Sequence, residues 1–141
     1  MKRILAFDVG DRRIGVAVSD ALGITAQPVE TYHRKGGAEK DAEYLLALAK
    51  RYAPCTLLFG LPRNMDGTYG EQAEKVKKFA QRLIDRWDGD YAFYDERLTT
   101  MAAQRVLIDA DISREKRKQV IDKMAAVVIL QGYMESHRNQ L

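Results

Sequence analysis

Four acidic residues are the first candidates for chemistry in this chain. Asp8 closes the apolar run Ile4–Phe7, Asp95 and Glu96 follow Tyr91–Tyr94, and Asp122 sits among Ile121, Ala125, Ala126 and Ile129. Carboxylates brought together repel one another and raise their own pKa values unless a cation lies between them. Their hard oxygen ligands suit Mg²⁺ or Mn²⁺. Two such ions, roughly 3.5–4 Å apart, can clamp the attacking and leaving oxygens of a phosphodiester. Each acid also has an ordinary reading. Asp8 can be a turn former, Asp95 or Glu96 can pair with Arg97, and Asp122 can be a solvated helix residue. The convergence of the acids carries the argument, not any one of them.

The surrounding polar residues suit a phosphate-rich partner. Gly60-Leu61-Pro62-Arg63-Asn64-Met65-Asp66-Gly67-Thr68 is a turn-rich loop leading into a helix start, where anions are favoured. Arg114, Lys116, Arg117, Lys118 and Lys123 cluster around Asp122. Such a cluster is either a solvated helix face or a grip on phosphates. The candidate substrate contacts are Gly10 and Arg12 after the first strand, and Gly60, Arg63 and Asn64 in the loop. Arg97, Thr99 and Thr100 after the acidic pair, and Arg114, Arg117 and Lys118 ahead of Asp122, complete the set.

The elements that must position these residues follow from hydrophobic period. Ile4–Phe7 and Ile14–Ser19 read as strands joined by the hairpin turn Val9-Gly10-Asp11-Arg12-Arg13. Alternation puts Ile14, Val16 and Val18 on one face and the small Gly15, Ala17 and Ser19 on the other, where something can pack closely. Thr25–Tyr32, with Pro28, suits an edge strand. Ala42, Leu45, Leu46, Ala49 and Tyr52 recur at helical spacing, predicting a helix over Ala38–Ala53. Thr56–Phe59 is a short buried strand. Thr68 and Glu71 have capping-box spacing ahead of a helix with the stripe Val76, Phe79, Ala80, Leu83, Ile84 and Trp87. Tyr91–Tyr94 is a further strand. Thr99 or Thr100 can cap a short helix through about Leu107, Asp109–Ser113 is a loop, and a last helix runs from about Glu115 to Met134 with Val120, Met124, Val127 and Val128 on its core side.

That order predicts an α/β fold: three antiparallel strands, then helix-linked strands parallel to the first, in a mixed five-stranded sheet with helices on both faces. Ligands of open α/β sheets bind at the carboxyl ends of the parallel strands. Three parallel, central strands would end at Asp8, Gly60 and Asp95-Glu96. Asp122 reaches the same rim if the last helix packs across the sheet.

Bulk composition sets limits. The 141 residues argue for one domain spanning 1–141, and 46% hydrophobic with 30% charged residues is ordinary for a globular chain. Cys55 is the sole cysteine, so no internal disulfide forms; it reads as a small buried side chain rather than a nucleophile. His33 and His137 lack companions at zinc spacing and read as solvated. Met1-Lys2-Arg3 begins no signal peptide and no run spans a membrane, so cytoplasm is the expected compartment and no membrane partner is expected. A net charge of +3 is a weak pull towards polyanions.

These residues also resemble a known family. Ile4-Leu5-Ala6-Phe7-Asp8-Val9-Gly10 followed by Ile14-Gly15-Val16-Ala17-Val18-Ser19-Asp20 resembles the opening of the YqgF/RuvX family. Gly60-Leu61-Pro62 with Asn64-Met65-Asp66-Gly67, the block Asp95-Glu96-Arg97-Leu98-Thr99-Thr100, and Asp122-Lys123 with Ala125-Ala126 and Ile129-Leu130-Gln131 are similar to three further blocks. The resemblance implies an RNase H-like fold and Asp8, Glu96 and Asp122 as metal-binding catalytic acids. It selects Glu96 over Asp95; alternation alone says only that the two lie on opposite faces if the strand continues through them. Two positions depart from the family. Asp11 stands where it commonly has a small hydroxyl residue, adding a charge near Asp8, and Arg63 where it is often aliphatic.

The expected function is a Mg²⁺- or Mn²⁺-dependent endonuclease acting on structured RNA, with 5′-end maturation of pre-16S rRNA favoured. Cleavage of branched DNA at a Holliday junction is the alternative. A monomer or weak homodimer is expected, and symmetric junction cutting would need the dimer. Two other readings are a nucleotide-binding domain, since Asp8-x-Gly10 with Gly15 resembles an actin-like phosphate loop, and a non-catalytic nucleic-acid-binding module.

Overall fold

The computed structural model describes residues 2–62, 68–96 and 114–138, with side chains described except at 96, 114–123, 137 and 138. The strands are β1 (Arg3–Val9), β2 (Arg13–Ser19), β3 (Ala26–His33), β4 (Cys55–Pro62) and β5 (Tyr91–Glu96). The helices are α1 (Ala38–Arg51), α2 (Glu71–Ile84) and α3 (Arg114–Arg138). The expected helix near Leu107 and the loop Asp109–Ser113 lie outside the described residues.

The sheet has the order β3-β2-β1-β4-β5. β1 runs antiparallel to β2 and parallel to β4; β2 pairs antiparallel with β3, and β4 parallel with β5. The mixed topology is as the sequence predicts, with one correction: β5 is parallel but lies at an edge, so only β1 and β4 of the parallel strands are central. β3 is the other edge, where Pro28 pairs with Ala17 at a register shift. A proline that cannot donate to a ladder is tolerated there.

Strand alternation divides the core into two. Leu5, Phe7, Ile14, Val16, Val18, Leu57 and Phe59 face α1 and α2, where they meet Leu45, Ala49, Val76, Phe79, Ala80 and Leu83. On the opposite face Ala6, Ala17 and Leu58 receive α3 through Ala126, Val127, Ile129, Leu130 and Met134. The small residues of β2 therefore do admit a close-packed partner. Ser19 is 1% exposed, and its Oγ accepts the Ile4 N–H at 2.7 Å, satisfying a half-buried donor at the start of β1.

Several boundaries and contacts differ from the sequence reading. The Thr68–Glu71 capping box does not form: Gly70 caps α2 without a side-chain hydrogen bond, which makes Glu71 the first helical residue rather than the third. α2 ends at Ile84, and Trp87 packs on the core from the turn beyond it. In α3 Met124 and Val128 are only half-buried, whereas Ala125, Ala126, Ile129, Leu130 and Met134 are buried; Val120 falls among the undescribed side chains. Apolar residues surround this stretch of helix, so period alone selects no face. Cys55 is 2% exposed, its Sγ contacts the Ala49 carbonyl at 3.6 Å, and burial pushes the thiol up to about 11, which fits an inert core residue.

A buried polar cluster ties the two sides of the first hairpin to the helices. Asp41, in the first turns of α1, is 1% exposed. It accepts hydrogen bonds from Tyr32 Oη and Arg34 Nε, each at 2.9 Å. Arg34 also donates from Nη1 to the Gly10 carbonyl at 2.8 Å and stacks over the Phe79 ring at 4.8 Å. Removing one member of such a pair leaves the other desolvated and uncompensated. Asp41→Ala is therefore expected to lower stability by about 3 kcal/mol, measured by urea unfolding; a loss under about 1 kcal/mol would mean the pair is replaceable. Burial, then the Asp41 hydrogen bond, pushes the Tyr32 phenol up to about 12. A phenol raised above its unfolded value of about 10 contributes stability that is complete below pH 10 and lost as pH rises towards 12. Tyr32→Phe is expected to flatten the stability loss across that window, read from melting temperatures at pH 9.5 to 12.

Candidate nuclease site at the strand-end rim

Asp8 is the penultimate residue of β1. It pairs with Gly15 of β2 and has the same parity as Ile4 and Ala6, on the side of the sheet that carries α3. Phe7 pairs with Phe59, which puts Gly60 of β4 one rung along, beside Asp8. β4 continues two residues past Gly60, to Pro62, and Pro62 pairs with Glu96. β5 thus runs through both acids of the pair rather than stopping at Tyr94. Position 96 shares its parity with Ala92 and Tyr94, which pack towards α3. Position 95 has the parity of Tyr91 and Phe93, on the other side. Asp95 there accepts a short hydrogen bond from Tyr69 Oη, in the segment leading into α2. Alternation therefore separates the two acids, and backbone register puts position 96, not 95, on the Asp8 side.

The fourth acid belongs to α3. Asp122 precedes Ala126 by four residues and Ile129 by seven, the spacing of one helical stripe, and Ala126 and Ile129 pack on the sheet. Tyr133, farther along, has its phenol pushed up by burial and by the charge of Asp90, which lies just ahead of β5. The side chains of Glu96 and Asp122 are outside the described set. Among the described residues no group of three or more His, Cys, Asp or Glu forms a metal site. His33 is exposed.

Of the expected substrate contacts, Gly10, Arg12 and Gly60 are described. Gly10 N–H donates to the Arg13 carbonyl at 2.9 Å, closing the turn after Asp8. A Cβ at Gly10 would lie 2.8 Å from that carbonyl oxygen, so the turn requires glycine. Arg12 is exposed, and its carbonyl accepts the Arg34 N–H at 2.9 Å. Gly60 is buried within β4. Arg63, Asn64, Arg97, Thr99 and Thr100 lie outside the described residues; Arg114, Arg117 and Lys118 lie in the first turns of α3. Asp11 does not crowd Asp8 from the α3 side but pairs with Lys75 of α2 at 3.6 Å. Sequence reading missed Arg34 and Asp41, which hold the Gly10 turn; the signal available was an acid inside the otherwise apolar stripe of α1, where a buried charge needs a partner.

Comparison with known proteins gives a consistent picture. A chain from Clostridium novyi named "Putative pre-16S rRNA nuclease" is 52% identical over 134 residues, covering 95% of this chain and 98% of the relative. A chain of the same name from Halalkalibacterium halodurans is 51% identical over 140 residues, covering 99% of each. Among solved structures, Thermus thermophilus RuvC in complex with a Holliday junction substrate superposes with a TM-score of 0.62 at 12% identity, covering 99% of this chain and 97% of that one. A second Thermus thermophilus RuvC structure gives 0.53 at 13% identity. At these identities the likeness speaks for the fold, which is the RNase H-like sheet the sequence led us to expect. The family model described as "RuvX: Holliday junction resolvase" matches residues 2–136, and the chain belongs to that family.

Proposed function

We propose that this chain is an endonuclease that hydrolyses nucleic-acid phosphodiesters with Mg²⁺ or Mn²⁺, and that its task is 5′-end maturation of pre-16S rRNA. The observation that carries the reading is the shared sheet face: positions 8 and 96 have one parity at the strand ends, and Asp122 precedes by four and seven residues Ala126 and Ile129, which pack on that face. The names of the relatives at about half identity supply the RNA task. The family description favours one further reading, resolution of DNA junctions by the same site. Parallel cleavage of pre-16S rRNA and four-way-junction substrates separates the two. The whole chain, 1–141, is taken as one nuclease domain acting in the cytoplasm as a monomer or weak homodimer; among the described residues no helix is long and apolar enough to cross a membrane.

In this reading the carboxylates of Asp8, Glu96 and Asp122 form an all-oxygen ligand set, which fits a hard divalent cation. When bound, such ions supply Lewis acidity that activates water and stabilises the departing oxygen. The chain's own residues do the positioning. The Gly10 turn lets a phosphate approach the backbone beside Asp8. Arg12 and the α3 residues Arg114, Arg117 and Lys118 supply positive charge along the scissile strand. Arg63 and Asn64, which follow β4 in sequence, and Arg97, Thr99 and Thr100, which follow β5, add donors.

Asp8→Asn, nearly isosteric, is expected to fold with a melting temperature near wild type while single-turnover cleavage falls by at least about 100-fold. A fully active Asp8→Asn protein removes Asp8 from the catalytic set. Cleavage is also expected to vanish after exhaustive EDTA treatment and return with Mn²⁺ or Mg²⁺ but not with Ca²⁺, whose larger and looser coordination positions the reacting oxygens poorly. Activity that persists in EDTA rules out the metal mechanism.

A further inference from the structure

On the side of the sheet opposite α3, a cleft of about 490 Å³ opens between the β1–β2 turn, the start of α1 and the outer face of α2. Five cations line it: Arg34, Lys35, Lys75, Lys78 and Arg82. On α2 the spacing of residues 75, 78 and 82 puts three of these on one helical face, beside the buried stripe of Val76, Phe79, Ala80 and Leu83. The two carboxylates of the lining are already engaged: Asp41 by Tyr32 and Arg34, and Asp11 by Lys75 at 3.6 Å. Arg82 pairs with Glu39 at 3.2 Å. Among the described residues, Lys35 and Lys78 have no carboxylate partner and are exposed at the mouth.

The geometry points to a second phosphate-binding site in this cleft, one that takes the sugar–phosphate backbone of the nucleic acid away from the scissile bond. The ligand class rests on the nuclease reading; the charge and shape of the cleft do not. Two features favour a backbone over a free nucleotide. The only aromatic ring of the lining, Phe79, is covered by the Arg34 guanidinium at 4.8 Å, so no face is open for a base to stack on. Each Asp41 oxygen already accepts a hydrogen bond, from Tyr32 and from Arg34, so the one buried carboxylate of the lining is committed to the fold. What the cleft offers is mobile positive charge, which suits phosphates and is indifferent to sequence. Its inner wall is Val9-Gly10-Asp11, the turn that directly follows Asp8. A strand leaving the Asp8 rim crosses that turn into the cleft, so the two sites lie on one path around the edge of the sheet.

The test is binding of a fluorescein-labelled RNA stem-loop with a single-stranded 5′ flank to the full chain in EDTA, by anisotropy across a salt series. Lys35→Gln with Lys78→Gln is compared with Lys2→Gln with Lys50→Gln, which removes the same charge at the strand-start end of the molecule. The cleft pair is expected to weaken binding several-fold and to reduce the log–log salt slope by about 1.4, two single-strand phosphate contacts; the control pair is expected to change the slope by less than half as much. Equal effects of the two pairs, no effect of the cleft pair, or no binding by the wild type overturns the inference. So does saturable ATP binding that needs Lys35 and Lys78 while RNA affinity ignores them. A protein that binds through the cleft yet cuts nothing overturns the nuclease reading alone, and a cutting enzyme whose binding ignores both lysines overturns the cleft alone.

Discussion

The buried contact between Arg34 and Asp41 is the constraint on which the geometry of the first hairpin depends. One guanidinium satisfies a carboxylate at 1% exposure, a backbone carbonyl at Gly10 and the face of Phe79. The residues it joins come from the end of β3, the start of α1, the β1–β2 turn and α2. Without it, the turn that follows Asp8 would be held by the Gly10–Arg13 and Arg34–Arg12 backbone bonds and the exposed Asp11–Lys75 pair. A planar, permanently charged fork suits this junction: it presents separate N–H groups to the carboxylate and the carbonyl while its flat face lies on the ring.

The second organising fact is the parity of the strands. Because side chains alternate, one sheet carries two chemistries back to back at the same rim. On the α3 side are Asp8 and position 96. On the α1–α2 side are Asp95 with Tyr69, Asp11 with Lys75, and the cationic cleft. Adjacent residues in sequence thereby serve opposite surfaces, and the single rung between Asp95 and Glu96 separates a hydrogen-bonding partner of the α2 approach from a candidate ligand.

Much of this was legible in the sequence because period is a local property. The alternation of Ile14–Ser19 announced both faces of β2, and the small residues Gly15, Ala17 and Ser19 announced that something packs closely on one of them, which is α3. The strand-end acids were legible because the topology, once inferred, fixes which ends meet. What local pattern could not supply was anything decided by distant partners. Asp41 takes its partners, Tyr32 and Arg34, from outside its own helix, nine and seven residues back. The edge position of β5 depends on which strand β4 chooses as its other neighbour, which no window of sequence records. Thr68 and Glu71 had the spacing of a capping box, but α2 begins two residues late for it, with Gly70 as its cap. In α3 the apolar residues are too evenly spread for period to name the buried side.

At its closest approaches the α3 interface is built from side chains with little freedom to lose. Ala6 and Ala17 on the sheet meet Ala126 on the helix, and Gly132 lies so close to Tyr94 that a Cβ there would overlap the phenol oxygen. Alanine and glycine have no rotamers through which a contact can relax. Where these small residues meet, the contact behaves as a hard stop rather than a cushion: volume added there shifts the helix before it can be absorbed. Because a helix is stiff along its axis, a displacement imposed at residue 132 is delivered with little attenuation to residue 122, ten positions and roughly 15 Å away.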